Sequence, residues 1–190
     1  MSISYLAITG AQGSGKSIFT EIVKRNYDIP TFRMGEVIIE ECRKRNLKIT
    51  GRNMSKMASI LRYEGGNQAI AVKSIPKIKK LAQKETTLLI IDGVRSFSEL
   101  TTFRRELGEV RLIGIISSLA TRKRRIEKRK RMDAESYGDF EEREERELSF
   151  GIGNVLTKAD YFILNEGITK KEFIERIKQL LEKILQEKEK

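Results

Sequence analysis

The stretch Ile3-Ser4-Tyr5-Leu6-Ala7-Ile8-Thr9-Gly10-Ala11-Gln12-Gly13-Ser14-Gly15-Lys16-Ser17-Ile18-Phe19 decides the fold. Gly10 to Ser17 satisfies the phosphate-binding loop pattern G-x-x-x-x-G-K-[ST] at every specified position. The run Ile3 to Thr9 before it reads as a buried strand. The run Lys16 to Asn26 after it carries Ile18, Phe19, Ile22 and Val23 at helical spacing. A loop between a strand end and a helix start aims several backbone N–H groups at one spot. Its glycines let the chain curl without Cβ clashes, and the helix start adds positive partial charge. Gly10, Ala11, Gln12, Gly13, Ser14, Gly15, Lys16 and Ser17 are therefore candidate nucleotide-binding residues. Lys16 would reach the β- and γ-phosphates of ATP, and the Ser17 hydroxyl would ligate Mg²⁺. The plain alternative is a glycine-rich turn that only joins strand to helix. A dinucleotide-binding loop fails on spacing, because the third glycine of G-x-G-x-x-G would fall on bulky Ile18.

Composition narrows the chemistry. A chain of 190 residues suits one domain with a sizeable core, and 39% hydrophobic with 34% charged residues marks it as globular. Cys42 is the single cysteine, so neither an internal disulfide nor a zinc cluster can form. Histidine is absent, which removes Ser-His-Asp triads, histidine metal sites and histidine proton relays together. Lys, Arg, Asp, Glu, backbone dipoles and a hard metal ion remain, and phosphoryl transfer is the reaction class that uses them. The net charge of +11 suits a polyanionic partner, nucleotide or nucleic acid. No apolar run approaches membrane-spanning length, the first residues lack a basic signal region, and the expected location is the cytoplasm.

Further strands are expected at Ile29 to Phe32, Thr86 to Ile91, Val110 to Ser117 and Asp160 to Leu164. Helices are expected near Gly35 to Arg45, Met54 to Tyr63, Gln68 to Gln83, Phe97 to Glu106, Leu119 to Arg131, Phe140 to Leu148 and Lys170 to Gln186. Strands alternating with helices imply right-handed crossovers and a mostly parallel sheet covered by helices. Thr50 to Gly66 and Arg131 to Gly153 read as insertions, the first small and mobile. In the last helix Phe173, Ile177, Leu180 and Ile184 form a stripe. It reads as packing on the chain's own sheet, with a short coiled-coil seam as the alternative.

The run Leu88-Leu89-Ile90-Ile91 ends in Asp92, then Gly93. A hydrophobic strand ending in an acid is the usual companion of a phosphate loop, its carboxylate holding Mg²⁺ directly or through water. The alternative is a turn aspartate. Arg95 follows at a strand's carboxyl end, where α/β sheets place ligands, and is a candidate substrate clamp.

These segments resemble nucleoside monophosphate kinases. Met34-Gly35-Glu36 is similar to the threonine-glycine-aspartate segment that opens the second helix of adenylate kinases. Asp92-Gly93-Val94-Arg95 resembles their Asp-Gly-Phe-Pro-Arg, one position shorter and without the proline. Ala159-Asp160-Tyr161-Phe162-Ile163-Leu164-Asn165 is similar to the last strand of dephospho-coenzyme A kinases. Nearly the whole chain resembles an archaeal adenylate kinase/dephospho-coenzyme A kinase-like family that shares Asp-Gly-Val-Arg-Ser, Phe150-Gly151-Ile152-Gly153 and the Ala-Asp-Tyr-x-Ile-x-Asn ending. The resemblance implies a P-loop NTPase fold of three α/β/α layers, with a five-stranded parallel sheet and the loop after the central strand. It implies one domain over 1–190, with an acceptor-binding insertion about 35–83 and a lid about 120–153. It names no acceptor, and Met34 stands where adenylate kinases place an acceptor-pocket threonine. Arg33, Gly35, Arg62 and Arg95 are the candidate acceptor-binding residues, with Arg52 beside them. Solvated surface arginines are the alternative for Arg33, Arg52 and Arg62.

Arg122 to Arg131 is nearly all basic, and an acidic stretch around Glu141 to Glu147 follows. In kinases of this class lid arginines close over the transferring phosphoryl group. On a helix Arg122, Arg125 and Arg129 share one face and Arg124, Lys128 and Arg131 another, so one face can meet the nucleotide while the other stays solvated. Arg125 and Arg129 are the candidates here, with Arg143 a further one. The alternatives are a solvated helix pair and backbone-driven nucleic-acid binding, since no aromatic residue interrupts the run. The expected function is Mg²⁺-dependent transfer of the ATP γ-phosphoryl group to a nucleotide or nucleotide-like acceptor, with Lys16, Asp92 and lid arginines as the catalytic set. The alternative is an ATPase or ATP-binding switch associated with nucleic acid. A phosphate acceptor needs no dedicated base; a hydroxyl acceptor wants a carboxylate, for which no position stands out.

Overall fold

The computed structural model describes residues 3–82, 87–130 and 140–189. Its sheet has five parallel strands in the order β2-β3-β1-β4-β5: β1 is Ser4–Thr9, β2 Thr31–Arg33, β3 Leu88–Asp92, β4 Val110–Ile116 and β5 Tyr161–Leu164. Central β1 is buried along nearly its whole length, as a parallel strand covered on both faces must be. Successive side chains point to opposite faces. Tyr5 and Ala7 join Leu89, Ile91 and Leu112 on one face, while Leu6 and Ile8 join Leu88, Ile90, Ile113 and Ile115 on the other. Burying each leucine or isoleucine among them contributes about 1.5–3 kcal/mol before entropic costs.

Helices α1 (Lys16–Asn26) and α9 (Lys170–Glu189) cover the second face, where Phe19, Ile22 and Val23 meet Phe173, Ile177, Leu181 and Ile184. The own-sheet reading of the last helix therefore holds, with one correction: Leu181 is fully buried, and Leu180 is only partly so. A period of 3.6 rotates the buried stripe by one position across three turns. The first face is covered by α2 (Gly35–Lys44), α3 (Gly51–Gly65), α4 (Ala69–Ala82), α5 (Phe97–Leu107) and the short α8 (Ile152–Leu156). Helices α6 (Leu119–Lys130) and α7 (Phe140–Ser149) complete the described elements.

The helix expected near Met54 to Tyr63 is α3, which runs over nearly all of the 50–66 insertion. Thr50 caps it by accepting from the Asn53 N–H at 3.2 Å, and Met57, Ala58 and Leu61 bury its inner face. The second strand begins two residues later than its sequence suggested, at Thr31, because Pro30 lacks an N–H and offers only its carbonyl to Ile90. Helix α4 continues through Pro76. Helix α8, flanked by Gly151 and Thr157, was too short to leave a periodic signal.

Candidate phosphate-binding site

Strand register brings the two predicted halves of the site together. Ile8 pairs with Asp92 and Arg33 pairs with Asp92, so the ends of β1, β2 and β3 lie side by side just before the loop. Gly93 and Val94 both donate to the Ile8 carbonyl, at 3.1 and 3.2 Å, tying the segment after Asp92 to the strand that feeds the loop.

The loop glycines have physical reasons to be glycine. Gly10, Gly13 and Gly15 have φ of 151°, 77° and 119°. A Cβ on Gly13 would lie 2.8 Å from the Arg122 carbonyl oxygen, and one on Gly15 would lie 2.6 Å from Asn165 Nδ2 and 2.8 Å from the Phe173 ring. The Ser14 N–H donates to the Ala11 carbonyl at 3.2 Å, and Asn165 Nδ2 donates to the Ser14 carbonyl at 2.8 Å. Helix α1 begins at Lys16 without a side-chain cap, so its amino end faces into the loop. Lys16 Nζ donates to the carbonyls of Gly10 and, at 3.2 Å, Ala11. The residue keeps some exposure as a whole, but atoms crowd its ammonium, and this desolvation lowers its pKa to about 8 against the opposing pull of Glu147 and Asp92. Ser17 is exposed on the first turn of α1.

Asp92 is largely enclosed, and burial raises its pKa despite Lys16, Arg33 and Arg95 nearby. Arg33 Nε stands 3.9 Å from Asp92 Oδ2 and is otherwise solvent-facing. Gly35 opens α2 directly after, with open space where a Cβ would go. An exposed hydroxyl on α1 and a carboxylate held in register beside the loop form a hard oxygen donor set, which fits Mg²⁺, and the curled glycine backbone fits the phosphates it would accompany.

Two of the expected arginines are placed differently. Arg62 is not solvated. It is 7% exposed, its Nη2 meets Glu99 Oε1 at 2.7 Å, and its guanidinium lies 4.1 Å from the centre of the Phe150 ring. Helix α3 packs Arg62 into the interior, and an acceptor phosphate would have to compete with the buried Glu99. Arg125 is not free to cover a phosphoryl group. It donates to Gly13 O at 3.3 Å, Ser117 Oγ at 2.9 Å, and Asn165 O and Oδ1 at 3.0 Å each, bracing the loop from the protein side. Arg122 does similar work through Gln12 O at 3.4 Å and a two-pronged pair with Glu144 at 2.6 Å. The Arg129 side chain lies outside the described residues.

Two acids escaped the sequence reading. Glu99 completes a capping box at the start of α5, where Ser96 Oγ accepts from the Glu99 N–H and Glu99 Oε2 accepts from the N–H groups of Arg95 and Ser96. The Ser-x-x-Glu spacing was a visible signal for the cap but not for Arg62. Glu147 on α7 is 3% exposed, and its Oε1 meets Arg95 Nη2 at 3.2 Å and Arg143 Nε at 3.0 Å. An open cleft of about 420 Å³ among Arg104, Gly108, Glu109, Val110, Arg111 and Asp160 lies at the amino ends of the strands, away from the loop.

Sheet order, loop and acid together define a P-loop α/β protein of kinase-like fold, and residues 6–148 match the AAA_18 family, an AAA domain. The chain belongs to the UPF0200 family. It is 41% identical over 186 residues to the UPF0200 protein of Thermococcus onnurineus, covering 96% of this chain and 98% of that one. Among solved structures it resembles TT1252 from Thermus thermophilus, with TM-score 0.62, 18% identity and 98% of each chain covered. It also resembles shikimate kinase from Acinetobacter baumannii in complex with shikimate, with TM-score 0.57, 14% identity, and 99% and 96% covered. At these identities the likeness is one of fold. Among the described residues no helix is long and apolar enough to cross a membrane.

Proposed function

We propose that this chain is an ATP-dependent phosphotransferase that moves the γ-phosphoryl group to a nucleotide or nucleotide-like small molecule. The observation that carries the reading is the register of Asp92 with Ile8, which sets a carboxylate beside a loop whose glycines, lysine and serine match a phosphate cradle. In this reading Lys16 and the loop N–H groups bind and orient the β- and γ-phosphates. Ser17 and Asp92 hold Mg²⁺, which when bound neutralises phosphate charge. Arg33 and Arg95 supply cations at the same strand ends, and Arg143 of α7 adds one through the Glu147 carboxylate it shares with Arg95. The α2–α4 segment forms the acceptor side, within about 35–83, and the segment about 120–153, of which 131–139 lie outside the described residues, forms the lid of a single domain. The kinase-like fold shared with shikimate kinase is consistent with a small acceptor, and the bound shikimate belongs to that protein alone.

A second reading, an ATPase or ATP switch on nucleic acid, draws on the exposed basic side of α6, where Arg124 and Lys128 face solvent. The small-acceptor reading is favoured because Arg122 and Arg125 of the same helix turn inward to the loop. The deciding experiment offers labelled ATP and Mg²⁺ to a panel of nucleoside monophosphates and dephospho-coenzyme A. Label in one acceptor is the expected result. No labelled acceptor, with ATP hydrolysis accelerated by RNA or DNA, would replace the kinase reading with the second one.

A further inference from the structure

The cations that would serve a phosphate at the strand ends already share one anion. Glu147 Oε1 carries both Arg95 and Arg143, and Glu147 is the strongest charge acting on Lys16. Its position is set by the contacts that fix the loop itself. Gln12 Nε2 donates to the Phe140 carbonyl at 2.6 Å and Arg122 clasps Glu144, so the face of α7 bearing positions 140, 144 and 147 lies against the loop. Among the described residues Glu147 Oε2 is buried and has no hydrogen-bond partner. A buried carboxylate normally uses both oxygens. Here one oxygen takes two guanidiniums and the other none. A phosphate group presents more acceptor oxygens and suits arginine forks better.

We propose that Glu147 is a built-in stand-in for a phosphate group, holding Arg95 and Arg143 at a phosphate site in the free protein until a ligand phosphate takes them over. The inference rests on the reading that the loop holds ATP phosphates. Burial alone would raise the Glu147 pKa, but Arg95, Arg143 and Lys16 together bring it to about 2, so the stand-in is charged at neutral pH. A second anion cannot join the same two guanidiniums without repulsion from the first. Glu147 therefore competes with the ligand, and pre-arranges its receptors in doing so.

The test is binding of ATP, ADP and AMP by calorimetry to the wild-type chain, Glu147→Gln, and Arg143→Gln/Glu147→Gln. Glutamine keeps the side chain's shape and removes the competing charge. Glu147→Gln should bind its ligand about tenfold tighter or more, within the usual range of coupling between sites. Tightening confined to ATP assigns the site to the γ-phosphate; tightening of AMP assigns it to the acceptor phosphate. The double variant should lose most of the gain, because the freed Arg143 is its source. General damage to the fold would weaken binding, so a gain separates the stand-in role from a structural one. Where Glu147→Gln does not fold, Glu147→Asp, which withdraws the charge from the two guanidiniums, should tighten the same ligand by a smaller factor. Unchanged or weaker binding by the folded variants, with wild-type ATP binding intact, overturns the stand-in and leaves the loop reading standing. No ATP binding by the wild type overturns both.

Discussion

Replacing Arg62 by alanine should destabilise this protein more than removal of any exposed arginine, and the magnitude follows from its surroundings. Breaking a buried ion pair by deleting one partner costs about 3–5 kcal/mol, because the other charge stays buried. Glu99 keeps its backbone donors from Arg95 at 2.7 Å and Ser96 at 3.2 Å, which holds the loss to the lower end, about 3 kcal/mol. The lost face-on contact with Phe150 adds about 1 kcal/mol. For a chain of this size about 4 kcal/mol corresponds to a fall in Tm of roughly 8–16 °C. Arg45→Ala is the control: its pair with Glu64 at 3.1 Å is exposed and is worth less than about 1 kcal/mol. Scanning calorimetry and urea unfolding of both variants give the comparison. The deficit should also depend on pH. Burial already raises the Glu99 pKa, and loss of the guanidinium raises it further. A carboxyl with a raised folded-state pKa favours the fold when protonated, and that stabilisation is lost as pH rises. The Arg62→Ala deficit should therefore be smaller near about pH 4 than near about pH 8. If Arg62→Ala melts as close to wild type as Arg45→Ala does, the buried pair is not what holds α3 to α5, and the reasoning fails.

Lys16→Met should raise the Tm of the ligand-free protein near neutral pH, since the crowded ammonium has its pKa depressed to about 8 and is charged there at a cost, while ATP binding falls sharply. A loss of both stability and binding would contradict this. Glu147 contributes stability that is complete above the ordinary carboxylate pKa and is lost as pH falls from about 4.5 towards about 2; acid titration followed by circular dichroism should show Glu147→Gln missing that part of the acid transition. Gly15→Ala should cost both stability and ATP affinity, because φ is 119° and the new Cβ would sit 2.6 Å from Asn165 Nδ2 and 2.8 Å from the Phe173 ring; wild-type melting and binding would mean the loop is not held as described.

The phosphate loop was legible because its geometry demands residue types that sequence displays directly: glycines at positive φ and a lysine and serine opening a helix. Asp92 was legible for a related reason, as the acid that ends a β-favouring run. Arg95 was visible only as a cation at a strand end, and its pairing with Glu147 was not, because the two residues are joined by folding α7 back over the loop. The same holds for Arg62 and Glu99, which stand 37 positions apart. Nothing local distinguishes Arg62 from the solvated Arg52 until α3 is packed on α2 and α4 and the Arg62 side chain reaches Glu99 of α5. The basic run was legible as two faces of a helix, since residues three or four apart share a face. Contacts with the loop take Arg122 and Arg125 inward and leave Arg124 and Lys128 in solvent; what the spacing did not show is that the inward pair braces the loop. The stripe of the last helix was legible to within one residue, the limit set by a non-integral helical repeat.

Whether Gly10 to Ser17 holds the phosphates of ATP is decided by calorimetric titration of ATP with Mg²⁺ into the wild-type protein and Lys16→Ala. The wild type should bind saturably, with at least a tenfold loss, about 1.4 kcal/mol or more, in the folded variant. Equal binding by the two, or none by either, would contradict it.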